Sequence, residues 1–184
     1  MKIFIILVCI IFCPFLYSFA GEHIVLYSAG EKDQAAWSLL KKYFDSKGYN
    51  VSIYEKTETL EKHLANVNRI NRTNALLMLA LDFRIAEKND VFVAVSDAKK
   101  GKGKLLTIEE VPAQHIEDSM ELAKYIASTF GKTVKGLPLF PLLGVDIPAL
   151  FLRMECTNEK AGEMLDKLND CLQKYFKRGT KNEK

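Results

Sequence analysis

From His23 onward the chain alternates short apolar runs with longer segments whose apolar residues recur every three or four positions. His23 to Tyr27 is a β-branched and apolar run that ends in Ser28-Ala29-Gly30, the pattern of a buried strand leading into a tight turn. Glu31 to Ser46 carries Ala35, Ala36, Leu39, Leu40, Tyr43 and Phe44 on one helical face, and Gly48 closes it. Tyr49 to Tyr54 alternates as a second strand. Thr57 to Arg72 predicts a polar-faced helix with a narrow stripe of Leu60, Leu64, Val67 and Ile70. Ala75 to Leu81 is continuously apolar, as in a strand covered on both faces. Strands are also predicted at Val91 to Val95, Leu137 to Phe140 and Ile147 to Leu152. Helices are predicted from Gln114 to Phe130 and from Glu159 to about Lys177, with Arg178 to Lys184 left as a polar, frayed tail. This alternation predicts a single α/β domain over 21–177: a mostly parallel twisted sheet of about six strands with helices on both faces.

The first twenty residues follow a different rule. After Lys2, Ile3 to Tyr17 is almost without a polar atom, and Ser18-Phe19-Ala20 puts small residues where a signal peptidase needs them. Fifteen apolar residues interrupted by Pro14 fall short of the roughly 20 that span a bilayer as a helix. Met1 to Ala20 is therefore read as a secretory signal. An uncleaved anchor is the alternative, and membrane association is expected only in that case. The expected location is exported, either periplasmic or secreted.

With 184 residues, 48% apolar and 27% charged, the composition is that of an ordinary globular chain. Of its 26 basic residues only Lys2 lies in the leader, so the mature balance is 25 against 23 acidic, or +2. That balance gives no electrostatic argument for nucleic acid. Lys99-Lys100-Gly101-Lys102-Gly103-Lys104 lacks the glycine spacing and hydroxyl of a phosphate cradle and reads as a solvated loop. Two of the four cysteines, Cys9 and Cys13, lie in the leader; Cys156 and Cys171 remain. If the last helix begins near Glu159, Cys171 sits about 18 Å along its axis, too far for a disulfide needing α-carbons within about 7 Å. Both are read as buried apolar residues.

The three histidines, His23, His63 and His115, share no ligand spacing, and each reads as a surface or strand-end residue rather than a ligand. Acidic residues are better placed. Glu31 opens the first helix, and Asp82 and Glu155 fall just past apolar strands. In an open parallel sheet such positions share one rim, where ligand sites are found, although helix caps and loops use the same residue types.

Five segments in order resemble the zinc-dependent N-acetylmuramoyl-L-alanine amidases, which cut the amide between the glycan and stem peptide of peptidoglycan. They are Glu31-Lys32-Asp33, Lys47-Gly48-Tyr49-Asn50-Val51, Thr59 to Asn68 (Thr-Leu-Glu-Lys-His-Leu-Ala-Asn-Val-Asn), Val134-Lys135-Gly136-Leu137-Pro138-Leu139 and Ile147-Pro148-Ala149-Leu150-Phe151-Leu152. Together they extend over about residues 24 to 176. The resemblance implies the amidase fold, with zinc held by two histidines and a glutamate and a second glutamate as general base on the zinc-bound water.

The chain departs from that set. Leu26-Tyr27-Ser28-Ala29-Gly30 runs straight into Glu31, so the first histidine and its loop are missing, while Glu31 matches the glutamate ligand. The second histidine's place falls on Ala80 or Asp82, and the catalytic glutamate's place on Arg153 or Glu155. Each pair differs by two residues and so shares a face. Arginine stays cationic and cannot act as a base. The resemblance thus implies an exported amidase-like domain that binds peptidoglycan fragments or an envelope protein without cutting, with no cofactor. Two alternatives stand beside it. One is an active amidase with a metal site rebuilt from Glu31, Asp82 and Glu155, with His23 recruited and zinc bound. The other is a structural or assembly protein unrelated to glycans.

Overall fold

A computed structural model of the chain describes residues 21–30, 34–103 and 105–182. The signal segment Met1 to Ala20 and Glu31 lie outside the described residues. The element order is β1 (His23–Ser28), α1 (Gln34–Ser46), β2 (Asn50–Glu55), α2 (Leu60–Ile70), β3 (Leu77–Ile85) and β4 (Asp90–Ser96). Then come a 3₁₀ turn (Val111–His115), α3 (Ile116–Thr129), β5 (Val134–Leu137), a second 3₁₀ turn (Phe140–Leu142), β6 (Ala149–Cys156) and α4 (Ala161–Asn182).

The strands form one sheet in the order β2-β1-β3-β6-β4-β5. Strands β2, β1, β3 and β6 run parallel, β4 lies antiparallel to β6, and β5 is parallel to β4. The expected mostly parallel α/β sheet of six strands is therefore present. Its central strands are apolar on both faces because both faces are covered. Ile24, Leu26, Leu79, Leu81, Leu150 and Leu152 face a core closed by Trp37, Leu40 and Phe44 of α1, Leu122 and Ile126 of α3, and Leu165 and Leu168 of α4. Val25, Tyr27, Met78, Ala80 and Ala149 face the other way, onto Val67 and Ile70 of α2 and onto Leu142 and Val145. Helix α1 stops at Gly48, whose φ of 88° suits a residue without a side chain.

Several boundaries move. β5 lies at Val134–Leu137, earlier than the expected Leu137 to Phe140, because Pro138 and Pro141 have no N–H to donate to the ladder. The last helix continues through Arg178 to Asn182 where a frayed tail was expected. β3 and β6 each run several residues beyond their apolar cores, since they pair with one another from Met78↔Ala149 to Ile85↔Cys156. Asp82 and Glu155 consequently stand inside strands, not just past them. The buried stripe of α2 is His63, Val67 and Ile70, spaced at i, i+4 and i+7, while Leu60 is 46% exposed. Cys156 and Cys171 are both buried and unlinked, as the sequence suggested.

Candidate functional site

The site is built where β3 and β6 outrun their apolar cores. Side chains alternate along a strand, so Met78, Ala80, Asp82 and Arg84 point to one face of β3, and Ala149, Phe151, Arg153 and Glu155 to the same face of β6. Parallel register sets Asp82 opposite Arg153 and Arg84 opposite Glu155. The result is a two-by-two array of alternating charge at the carboxyl ends of two central strands.

Asp82 is the center of this array and is only 3% exposed. Arg84 Nε donates to its Oδ1 at 2.7 Å, and Arg84 Nη2 donates to its Oδ2 at 2.9 Å. Arg153 Nε also donates to Oδ2, at 2.9 Å. Both arginine side chains are about half exposed, at 45% and 46%. A buried carboxylate thus satisfies its lone pairs through three charge-assisted bonds, which is what makes its burial tolerable. Gly30 abuts the same group: a β-carbon there would stand 1.9 Å from Asp82 Oδ1. The backbone continues the β1–β3 ladder up to this contact, with Ala29 N–H donating to Leu81 O at 2.8 Å. Beyond the array, the Lys132 ammonium bonds Asp90 at 2.5 Å and holds that carboxyl below its ordinary range.

Of the sequence-predicted site residues, Asp82, Arg153 and Glu155 come together here. His23 does not. It opens β1 at the opposite end of the strand, about 16 Å from the rim at 3.3 Å per residue, and its Nε2 lies 2.8 Å from Ser52 Oγ. His63 is not a surface residue but fully buried. Its Nε2 lies 3.1 Å from the Leu143 carbonyl oxygen and its Nδ1 3.1 Å from Tyr27 Oη. Because a carbonyl only accepts, Nε2 carries the hydrogen and Nδ1 takes the tyrosine hydroxyl's bond in the neutral ring. Burial pushes the His63 pKa down. His115, partly exposed, meets Asp146 at 3.3 Å. Sequence reasoning missed Arg84 and Gly30. The signal for Arg84 was its i, i+2 spacing from Asp82 on a strand.

The donor set that zinc hydrolysis requires does not fit these residues. Both Asp82 oxygens are already taken by guanidinium N–H groups, and Arg84 and Arg153 put two cations beside them. Among the described residues no three His, Cys, Asp or Glu side chains are grouped to hold a metal ion. At the same ends of β1 and β2, an open groove of about 340 Å³ is lined by Ser28, Gln34, Trp37, Lys41, Ile53 and Glu55. A larger groove, about 740 Å³, lies between α3 and α4 and includes Ile116, Met120, Tyr125 and Arg178.

The fold is that of the N-acetylmuramoyl-L-alanine amidase catalytic domains, a single α/β unit. The solved structures to which it is similar include the apo form of the amidase Ami1 from Mycobacterium abscessus, at 8% identity, 85% coverage of this chain, 99% of that one and a TM-score of 0.54. Ami1 from Mycobacterium smegmatis gives 9% identity, coverages of 85% and 97%, and a TM-score of 0.52. The amidase from Clostridium difficile 630 gives 10% identity, coverages of 90% and 100%, and a TM-score of 0.50. At such identities the likeness is one of fold. No family model and no curated protein matches the sequence.

Proposed function

We propose that this chain is an exported amidase-fold domain of the cell envelope that binds peptidoglycan fragments at its rim and does not cut them. The observation that supports this reading most directly is the Asp82–Arg153 ion pair. The resemblance gives the zinc ligand's place as Ala80 or Asp82 and the general base's as Arg153 or Glu155, and the ion pair takes one residue of each pair. An arginine cannot take a proton from water. A carboxylate committed to two guanidinium groups would have to surrender charge-assisted bonds before it could ligate a metal. The reading therefore includes no bound zinc and no hydrolysis of the glycan–peptide amide. Retention of an amidase scaffold, with an open groove at the same end of the sheet on its other face, supports binding to the same class of polymer, with an envelope protein as the other partner such a rim could serve.

The experiment is incubation with purified insoluble peptidoglycan, with and without a chelator, followed by centrifugation and assay of released stem peptide. Co-sedimentation without release is expected, together with near-zero zinc by elemental analysis of protein purified without a metal-affinity tag. Release that a chelator blocks would overturn the non-cutting part. Failure to co-sediment would overturn peptidoglycan as the ligand.

A further inference from the structure

At the other end of the sheet the chain presents a feature that the rim does not use. Because β4 runs antiparallel to β6, with Asp90 opposite Glu155 and Ala94 opposite Phe151, the segment leaving β4 after Ser96 emerges at the end opposite the Asp82–Arg153 array. That segment carries Lys99, Lys100 and Lys102, all exposed, and then Leu105 and Leu106 at 88% and 41% exposure. No acidic residue interrupts the chain from Ala98 to Ile108. The adjoining edge strand β5 pairs with β4 and adds exposed Lys135 and Leu137 at the same end. The nearest acids in the chain are Asp97, Glu109 and Glu110. Glu110 is turned back onto the loop's own backbone, where its Oε2 accepts from Thr107 N–H at 2.8 Å.

A single exposed leucine needs no explanation. Two adjacent ones behind a cluster of lysines combine the two terms that hold a peripheral protein on an anionic bilayer: insertion of apolar side chains at the headgroup boundary and attraction of cations to the surface. We propose that the segment after β4, through Lys99, Lys100, Lys102, Leu105 and Leu106, docks on an anionic lipid surface. The contact is distinct from anything the N-terminal apolar segment does, and it does not depend on the peptidoglycan reading. It would orient the Asp82–Arg153 rim away from the bilayer. Each lysine near such a surface strengthens binding roughly fivefold, so Lys99, Lys100 and Lys102 together are worth roughly a hundredfold in partitioning at low salt.

The test places a local probe in the loop of the full chain, so that binding through the leader cannot imitate the result. Leu105→Trp is mixed with vesicles of phosphatidylcholine alone or with phosphatidylglycerol added, some carrying brominated acyl chains. The chain's own Trp37 is 8% exposed and packed in the core, so it contributes a constant background. A blue shift and bromine quenching on anionic vesicles are expected, weakened by salt and lost when Lys99→Gln, Lys100→Gln and Lys102→Gln are combined. A probe that stays in water on anionic vesicles overturns the proposal and leaves the loop to an acidic protein partner. An equal shift on neutral vesicles also overturns it, since the lysines would then contribute nothing.

Discussion

Replacing Asp82 by asparagine keeps the shape of the side chain and removes the charge that organises the rim. The parent carboxylate accepts three guanidinium N–H bonds at 2.7 to 2.9 Å while 3% exposed. Breaking a fully buried pair by deleting one partner costs about 3–5 kcal/mol. The two arginines here are 45% and 46% exposed, however, so they can recover much of their hydration when the acid is gone. What remains is the loss of charge-assisted bonds, and an amide nitrogen turned toward guanidinium donors. The expected cost is about 2 kcal/mol, or a fall in Tm of about 4–8 °C for a domain of this size. Urea unfolding followed by Trp37 fluorescence and far-ultraviolet circular dichroism would measure it. Arg153→Met removes only one of the three bonds and should cost about 1 kcal/mol. Because the two residues share a bond, the double variant should be less destabilised than the sum of the singles. If Asp82→Asn lies within about 0.5 kcal/mol of the parent, or if the two substitutions simply add, the array is not the lock described here.

Other expectations follow from the same contacts. Gly30→Ala puts a methyl group 1.9 Å from Asp82 Oδ1, and since that carboxylate is pinned on both oxygens it cannot swing aside. A loss of about 1–3 kcal/mol in the same urea assay is expected. His63 is held neutral by burial, so the unfolded chain binds a proton more readily than the folded one. The stability this contributes is fully present above the unfolded pKa of about 6.5 and is lost as pH falls below it. Urea midpoints compared across pH 5–7 should drop on the acid side in the parent and drop less in His63→Gln. Cys156 and Cys171 are buried and their thiols are raised in pKa by that burial, so a thiol reagent followed by peptide mapping should leave both unmodified until denaturant is added.

The sheet was legible because its central strands are apolar on both faces, and only a doubly covered strand reads as an unbroken run such as Ala75 to Leu81. Polar ends were harder to read. Asp82-Phe83-Arg84 looks like loop in the sequence, yet it is strand, because Asp82 and Arg84 gain partners on a neighbor more than 70 residues away. A local pattern cannot report a partner that distant. His63 was misread for a related reason. Its place on α2 looks like part of a polar face until Tyr27 and the Leu143 carbonyl arrive from elsewhere in the chain to satisfy both ring nitrogens.

Which residue occupies the place of each catalytic group depended on a register uncertain by two, whereas the face did not. A two-residue slip exchanges Ala80 for Asp82, or Arg153 for Glu155, and leaves every side chain on the same side of the sheet. Either register therefore puts no imidazole on that face of β3, and the pairing Asp82↔Arg153 then explains why the two strands remain joined so far past their apolar cores. Here the guanidinium of Arg153 supplies the positive charge itself, from within the chain and at 2.9 Å from the acid. On the reading proposed above, that ion pair closes the junction between β3 and β6 and leaves no role there for a metal-bound water.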